Sequence, residues 1–395
     1  MTERTTVAIV GAGPAGLLLG HVLTAANVPF VIVENRSREH VLSRIRAGVL
    51  ERSSVDVLDR FGLADRLHAE GLVHGGIHLQ VEGRRFHVDF EDLVGRTVTV
   101  YGQQQVVLDL MRRHDEFGSA VHYGASEVTP VGVTGDEPHL RFVVDGEQHD
   151  LAARFVVGAD GYHGVCRTVI PAEVLHPAER AYDCAWLGVL ADVVPSTDEL
   201  IYALHPGGFA MHSMRSSTVS RLYLQVDPGE DIADWSDERI WDGLQERLGS
   251  PGWTLTPGPI TEKSITPMRS SVARTLAYGR LFLAGDAGHI VPPTGAKGLN
   301  AAIADVAMLG DALVAAVGGS DAPLASYSDR ALARQWKIQY FSQWMTDMLH
   351  LPGPSTPAEE RDFRYRSRVG QLDFVTASRF ARQTLAEQYT GLAIA

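Results

Sequence analysis

The chain has 395 residues, 45% of them hydrophobic and 21% charged, with a net charge of −13. This length predicts two or three domains rather than one core, and the acidic balance argues against a nucleic-acid partner. Cys166 and Cys184 form no CxxC pair, no basic leader precedes the first strand and no apolar run approaches 18 residues, so the reading is a cytoplasmic protein without disulfide framework, metal site or membrane span.

In chain order, residues 5–10 (TTVAIV) read as a buried strand, followed by glycines, a helix from Leu17 and a second strand, Phe30–Val33, ending at Glu34. This is one βαβ unit. Alternating patterns at 77–81 and 85–88 predict antiparallel strands, and a helix is expected after Gln103. Two strands fall in 139–158, and 185–227 is strand-rich. Ser236 is placed to cap a helix with Ile240, Trp241, Leu244 and Leu248 on one face. Residues 280–284 predict another buried strand, and the chain beyond Lys297 reads as helical.

The fold class expected is α/β: a Rossmann-like nucleotide-binding domain, an antiparallel sheet domain for substrate and a helical C-terminal region. The expected divisions are 1–179 (its strands near 75–100 free to join the second sheet), 180–269, and 270–395.

Gly11-Ala-Gly-Pro-Ala-Gly16 lies between a strand and a helix. Gly11 permits the tight turn, Gly13 lets backbone approach a pyrophosphate, and Gly16 lets helix and strand pack closely. Ala15 belongs to the same turn, and Glu34 can accept hydrogen bonds from a ribose diol. By itself this motif does not separate FAD from NAD. Two later stretches decide for FAD: Gly158–Arg167 (GADGYHGVCR), with Asp160, and Arg280–Asn300, where a strand delivers Asp286 to a position suited to a ribityl hydroxyl. Residues 295–300 open a helix whose N-terminus can face the pyrimidine end of a flavin.

These motifs, together with Arg44–Leu50 (RIRAGVL), Thr97–Gln103 (TVTVYGQ), Asp234–Arg239 (DWSDER) and Ala284–Asn300, resemble the single-component flavoprotein aromatic hydroxylases over nearly the whole chain, and among them those acting on 4-hydroxybenzoate. The resemblance implies hydroxylation of that acid at its 3-position, using FAD, NADH or NADPH, and O2, in a homodimer. It assigns Arg44, Arg46, Gln103, Asp160, Arg221, Asp286, Pro293, Lys297, Gly298, Leu299 and Asn300 to the FAD site. It assigns Ser213, Arg215 and Tyr223 to the substrate carboxylate. Tyr202 and the carbonyl of Pro292 or Pro293 go to the substrate phenol, with a proton relay from Tyr202 through Tyr389 to His74. His163 and Arg269 are tied to the nicotinamide nucleotide. After Glu34 the chain carries Asn35, Arg36 and His40 where NADPH-preferring members carry another set, which points to NADH or dual use, although Arg36 and Arg38 could meet a 2′-phosphate.

Read singly, Tyr202 and Tyr223 are ordinary strand tyrosines. What distinguishes the set is that Ser213 and Arg215, two apart and so on one side of a strand, fit a carboxylate while the tyrosines fit a phenol. The competing readings are a hydroxylase of another hydroxybenzoate, an NAD-linked dehydrogenase and a non-catalytic flavin-binding protein. The stripe Trp336, Tyr340, Phe341, Trp344, Met345 and Met348 reads as core, or as a dimer interface.

Overall fold

A computed structural model describes residues 3–44 and 48–394. Its first sheet runs in the order Ala277–Tyr278, Leu281–Leu283, Glu147–Gly158, Glu3–Val10, Phe30–Val33 and Val121–His122. The strands from Leu281–Leu283 to Val121–His122 pair in parallel, and a hairpin of Ser126–Val131 and His139–Val144 extends from Glu147–Gly158. Val7 to Val10 are buried because a central parallel strand has layers on both faces. One layer contains helix Pro14–Ala25, packed on helix Gly298–Val317.

The second sheet runs His289–Ile290, Ile260–Val272, Ala178–Ala191, Ser220–Val226, Ala210–Met214, Ile201–Leu204, Gly76–Val81, Arg84–Asp89. Its pairs are antiparallel except Ile201–Leu204 on Gly76–Val81, which is parallel. One face packs on helix Asp237–Leu248 through Ile240, Leu244 and Leu248. Each of these fully buried side chains contributes about 1.5–3 kcal/mol. Ser236 caps that helix by accepting the Arg239 N–H at 3.2 Å. The other face carries Tyr202, Met211 and Tyr223 and is closed by the C-terminal helices Tyr327–Leu349 and Arg379–Thr390. A small third sheet joins Val49–Leu50, Val98–Val100 and Leu72–His74.

Two expectations change here. Helix Gly298–Val317 is long and apolar enough to cross a membrane by length and composition, so the chain does contain such a run; 78% of its 18-residue apolar stretch is buried inside the molecule, as in a core helix. The aromatic stripe also divides. Phe341, Met345 and Met348 enter the core, Trp344 is half-buried, and Trp336 and Tyr340 stay 52% and 62% exposed.

Candidate active site

The glycine turn has the geometry its sequence implies. Gly11 sits at φ +107°, and a side chain there would meet the Ala159 carbonyl at 2.4 Å. A Cβ on Gly16 would lie 1.9 Å from the Gly11 carbonyl oxygen. At Gly13 a Cβ would meet nothing within 4 Å, so this backbone borders open space. Helix Pro14–Ala25 starts there with Pro14 in its first turn and no side-chain cap, leaving its first N–H groups available to phosphate oxygens. Glu34 is oriented by the Ala12 N–H (2.7 Å) and the Arg36 N–H (2.8 Å), one on each carboxylate oxygen. Ala15 is buried beside this turn. Arg44 is exposed, Gln103 is half-buried at the head of helix Gln103–Phe117, and Arg46 lies outside the described residues.

Asp160 follows strand Glu147–Gly158 and accepts the Cys166 N–H at 2.9 Å through Oδ2, whereas Oδ1 is buried with no protein partner. Burial pushes its carboxyl above the ordinary range, against the bonds from Cys166. Asp286 is exposed on the turn Gly285–Ala287. That turn is fixed from behind by Asp305, whose Oδ2 accepts the Gly285 N–H (2.9 Å) and pairs with His289 Nε2 (2.6 Å). The sequence reading missed both His289 and Asp305.

Lys297 is buried and pairs with Glu51; it also donates to the Gln388 and Tyr389 carbonyls at 2.5 and 3.1 Å. Its charge is therefore locally compensated rather than offered whole to a flavin, and burial pulls the ammonium below its ordinary pKa despite Glu51. Glu51 carried no signal in the sequence. Asn300 uses its side chain as a latch, donating to the Val49 and Ala296 carbonyls and accepting the Glu51 N–H at 2.9 Å. Gly298 and Leu299 form the first turn of the same helix, where a Cβ on Gly298 would meet nothing within 4 Å. Pro293 is exposed and its carbonyl accepts the Ala296 N–H at 2.9 Å, while Pro292 is buried.

Strand register explains why the substrate residues share a face. Gly188, Tyr223, Met211 and Tyr202 are successive cross-strand partners. Ser213 lies two residues from Met211, and its partner Arg221 two from Tyr223, so the side-chain alternation puts all of them on one side. Arg215 lies just beyond this strand, which ends at Met214, in the hairpin closed by the Arg215 N–H and the Val219 carbonyl (2.8 Å). It is thus a turn residue, not the strand residue expected. Gly188 makes the room: a Cβ there would lie 2.8 Å from Arg221 Nη2 and 3.1 Å from the Tyr223 ring. A glycine inside a strand is the signal that could have found it.

Arg215 donates to the Met214 carbonyl at 3.3 Å, and its buried Nε has no partner. Arg221, 7% exposed, has Nε and Nη1 without hydrogen-bond partners and reaches Glu262 only at 4.0 Å. Burial pushes the Tyr223 phenol up, but the adjacent Arg221 and Arg215 charges outweigh it and hold the group below its usual range. Two guanidinium groups with free donors on a walled-in face form a receptor for an anion.

At the other end of the row the Tyr202 and Tyr389 hydroxyls lie 2.6 Å apart, both residues 1% exposed. Desolvation raises both phenols. Tyr389 is ordered close to the chain's end because the segment after it is tied down: Arg96 donates to the Gly391 carbonyl (3.0 Å), and Arg334 to those of Leu392 (3.0 Å) and Ala393 (2.9 Å). His74 does not complete the expected chain directly. It is buried, and neither ring nitrogen has a hydrogen-bond partner. Desolvation holds its pKa down, and the nearby Glu199 and Asp198 oppose this.

His163 and Arg269 are brought together, Nε2 to Nη2 at 3.3 Å, with the guanidinium 3.9 Å from the centre of the Tyr162 ring. Past Glu34, Arg36 and His40 are exposed. Arg38 differs from the expectation of a phosphate ligand, since both its terminal nitrogens are engaged by Asp115 at 2.8 and 2.5 Å.

A family model for an FAD binding domain matches residues 4–342. The chain is also 44% identical to the p-hydroxybenzoate hydroxylase of Acinetobacter baylyi over 394 residues, 99% of this chain and 96% of that one. It belongs to the class A flavoprotein aromatic hydroxylases. A more distant relative, 6-methylpretetramide 4-monooxygenase of Streptomyces rimosus, is 27% identical over 320 residues, and the match spans 76% of this hydroxylase but 54% of that protein. The crystal structure of p-nitrophenol 4-monooxygenase from Pseudomonas putida shares the fold, with a TM-score of 0.81 at 19% identity and 99% coverage of each chain.

The hydroxylase is FAD-dependent, with NAD(P)H and O2 as co-substrates. Its residues fit the cofactor. The open backbone at Gly13, the uncapped helix start, the pre-oriented Glu34 and the unpartnered Asp160 Oδ1 suit an adenylate and pyrophosphate, and Asp286 suits the ribityl chain.

Proposed function

We propose that the aromatic substrate is 4-hydroxybenzoate and that the product is 3,4-dihydroxybenzoate (protocatechuate). The observation that carries this reading is one sheet face on which Tyr223, beside the unsatisfied guanidinium donors of Arg221 and of Arg215 in the adjoining hairpin, shares a cross-strand row with Tyr202 of the buried phenol pair. Tyr202 and Tyr223 are two strands apart, about 10 Å between backbones, with Met211 between them on the same face; the proposed seat of the aromatic ring is over this face. Arg215, with Ser213 and Tyr223, orients the carboxylate; Arg221, stacked beside Tyr223, is the residue of this clamp assigned to placing the flavin.

FAD, when bound with Asp286, Gly298, Leu299 and Asn300 around it, supplies the reduction of O2 and the oxygen transfer. The protein's task is to make the ring carbon beside the phenol nucleophilic, and deprotonating the phenol does this. Tyr202 Oη is placed to accept that proton as it donates its own to Tyr389. Because burial raises both phenols, the pair passes a proton by accepting one and donating another, not by ionising. His74 is the proposed outward end, reached after a side-chain movement of Tyr389 or His74, and Pro293 borders the phenol side. NAD(P)H oxidation with 4-hydroxybenzoate, with product identification alongside the 2- and 3-hydroxy isomers, tests the assignment. Coupled formation of 3,4-dihydroxybenzoate is expected; an equal or better coupled rate with an isomer would overturn it.

We infer NADH, or dual use, as the nucleotide preference, because Arg38 is already held by Asp115, leaving Arg36 and His40 for a 2′-phosphate. Steady-state rates with each nucleotide test this, and a strong NADPH preference would refute it. We also propose a cytoplasmic homodimer divided into the two sheet domains and the helical region. Trp336 and Tyr340, with Phe363 and Phe374 at 73% and 64% exposure on helix Ala358–Ala377, are the apolar side chains such an interface would cover. Sedimentation equilibrium at micromolar concentration should return twice the chain mass.

A further inference from the structure

The edge of the second sheet holds a cluster that the reaction does not use. Strands Gly76–Val81 and Arg84–Asp89 form a hairpin in which His78 and His87 are direct cross-strand partners, their rings 5.0 Å apart. Glu199, from the loop before strand Ile201–Leu204, reaches across the hairpin. Its Oε2 lies 2.7 Å from His87 Nε2, and its Oε1 accepts the Gly76 N–H at 2.8 Å. One ligand atom from each of the three side chains falls within 4.8 Å of the other two.

We propose that His78, His87 and Glu199 form a binding site for a divalent transition-metal ion of the zinc class. Two imidazoles and a carboxylate are a donor set that such ions prefer, with a fourth position left for water. Ligand atoms at zinc distances stand about 3.3 Å from one another, so the widest pair must close by up to about 1.5 Å, while His87 Nε2 and Glu199 Oε2, now 2.7 Å apart, must open slightly as the metal replaces the proton between them. The backbone N–H of Gly76 fixes one carboxylate oxygen and leaves the other for the metal, the supporting contact that ligating carboxylates need. The His–Glu hydrogen bond accounts for two of the three residues without a metal, but it leaves His78 Nδ1 buried and unpartnered. Burial, and secondarily His87, hold His78 below the ordinary imidazole pKa, so it is already in the neutral, ligating form at neutral pH.

An ion here would tie the edge hairpin to the loop that leads into the strand of Tyr202, and so would stabilise the substrate sheet by mass action. Nothing in this depends on which aromatic acid the enzyme hydroxylates. The test is titration of chelator-treated holoenzyme with Co2+ and Zn2+, following visible absorption and heat, with thermal unfolding alongside. One ion per chain, a tetrahedral or five-coordinate cobalt spectrum and a higher unfolding temperature are expected. His87→Ala and Glu199→Gln should each weaken binding at least tenfold while keeping wild-type FAD content; the second keeps a carbonyl for Gly76. Absence of saturable binding, or variants that bind as wild type, would overturn the proposal.

Discussion

The glycine turn and the substrate face hold their ligands by opposite means. Residues 11–34 complete themselves locally: a glycine gives the positive φ, another gives close packing, and Glu34 already receives two backbone N–H groups. The substrate face is assembled from segments far apart in sequence and is left polar and unsatisfied, with free donors on Arg215 and Arg221. Unsatisfied buried groups cost stability, and a bound ligand that satisfies them recovers it. The local unit tolerates little change because its atoms are in contact. The assembled face should survive substitution as a fold and lose chemistry or affinity.

The largest expected effect follows from the phenol pair. Tyr202→Phe removes one hydroxyl from a 2.6 Å contact without changing the packing volume much. The variant should fold, retain FAD and bind 4-hydroxybenzoate within a few-fold of wild type. Its hydroxylation rate should fall about 10²–10⁴-fold, the usual worth of a positioned proton-transfer group. Binding titration and product yield per NAD(P)H consumed separate the two effects, and wild-type turnover would remove the relay from the mechanism.

Next is the clamp. Arg215→Ala should weaken binding of the aromatic acid by about 2–5 kcal/mol, the range for truncating a buried charge partner, with little loss of thermal stability because its Nε has no partner and the bond it does make, to the Met214 carbonyl, is long at 3.3 Å. Arg215→Lys should recover only part of the affinity, since the fork geometry is gone. If Arg215→Ala instead lowered stability more than affinity, the contrast between a self-complete turn and a waiting face would fail. Gly16→Ala probes the other side of it. A Cβ at 1.9 Å from the Gly11 carbonyl forces backbone movement, so about 1–3 kcal/mol of stability should go, together with FAD retention. Thermal unfolding and the flavin-to-protein absorbance ratio check both.

The same contrast explains what could be read from the sequence. The strand–turn–helix–strand unit lies in one short window, so its periodicity and glycine spacing carried fold and cofactor class together. The Ser236 cap was visible for the same reason. Glu51 was not, because its partner Lys297 is 246 residues away and only the folded chain joins them. Asp305 lies inside an apolar helix and shows its role only against the Gly285 N–H. Ser213 and Arg221 share a face through cross-strand register, which no single segment records. The Tyr202–Tyr389 contact was legible through resemblance, whereas the direct link on to His74 expected with it is absent from the described contacts. Local chemistry was therefore readable and long-range complementarity was not.

The smallest effect concerns the covered side of the substrate face. His350 accepts the Trp186 indole N–H at 2.6 Å through Nε2 and contacts the Thr346 carbonyl through Nδ1, so the ring is neutral with its proton on Nδ1. Burial brings its pKa down to about 3 from an ordinary 6.5. A depressed histidine is neutral in the folded state while the unfolded chain takes up a proton below 6.5. Its contribution is thus intact above pH 6.5 and is lost progressively as pH falls toward 3. His350→Gln keeps an acceptor without a titrating group, and should therefore cost stability at pH 7.5 through lost ring packing on Phe209, whose centroid is 4.4 Å away. It should fall less steeply than wild type between pH 6 and 4.5, narrowing the gap by about 1–2 kcal/mol at the 1.4 kcal/mol per pH unit that one proton allows. Buried His74 and His212 shift the same way, so the acid limb will not vanish in the single variant. Parallel acid limbs in denaturant titrations would show that His350 takes up its proton in the folded state near its ordinary pKa, and that the aromatic wall behind Tyr223 is wetter than its packing implies.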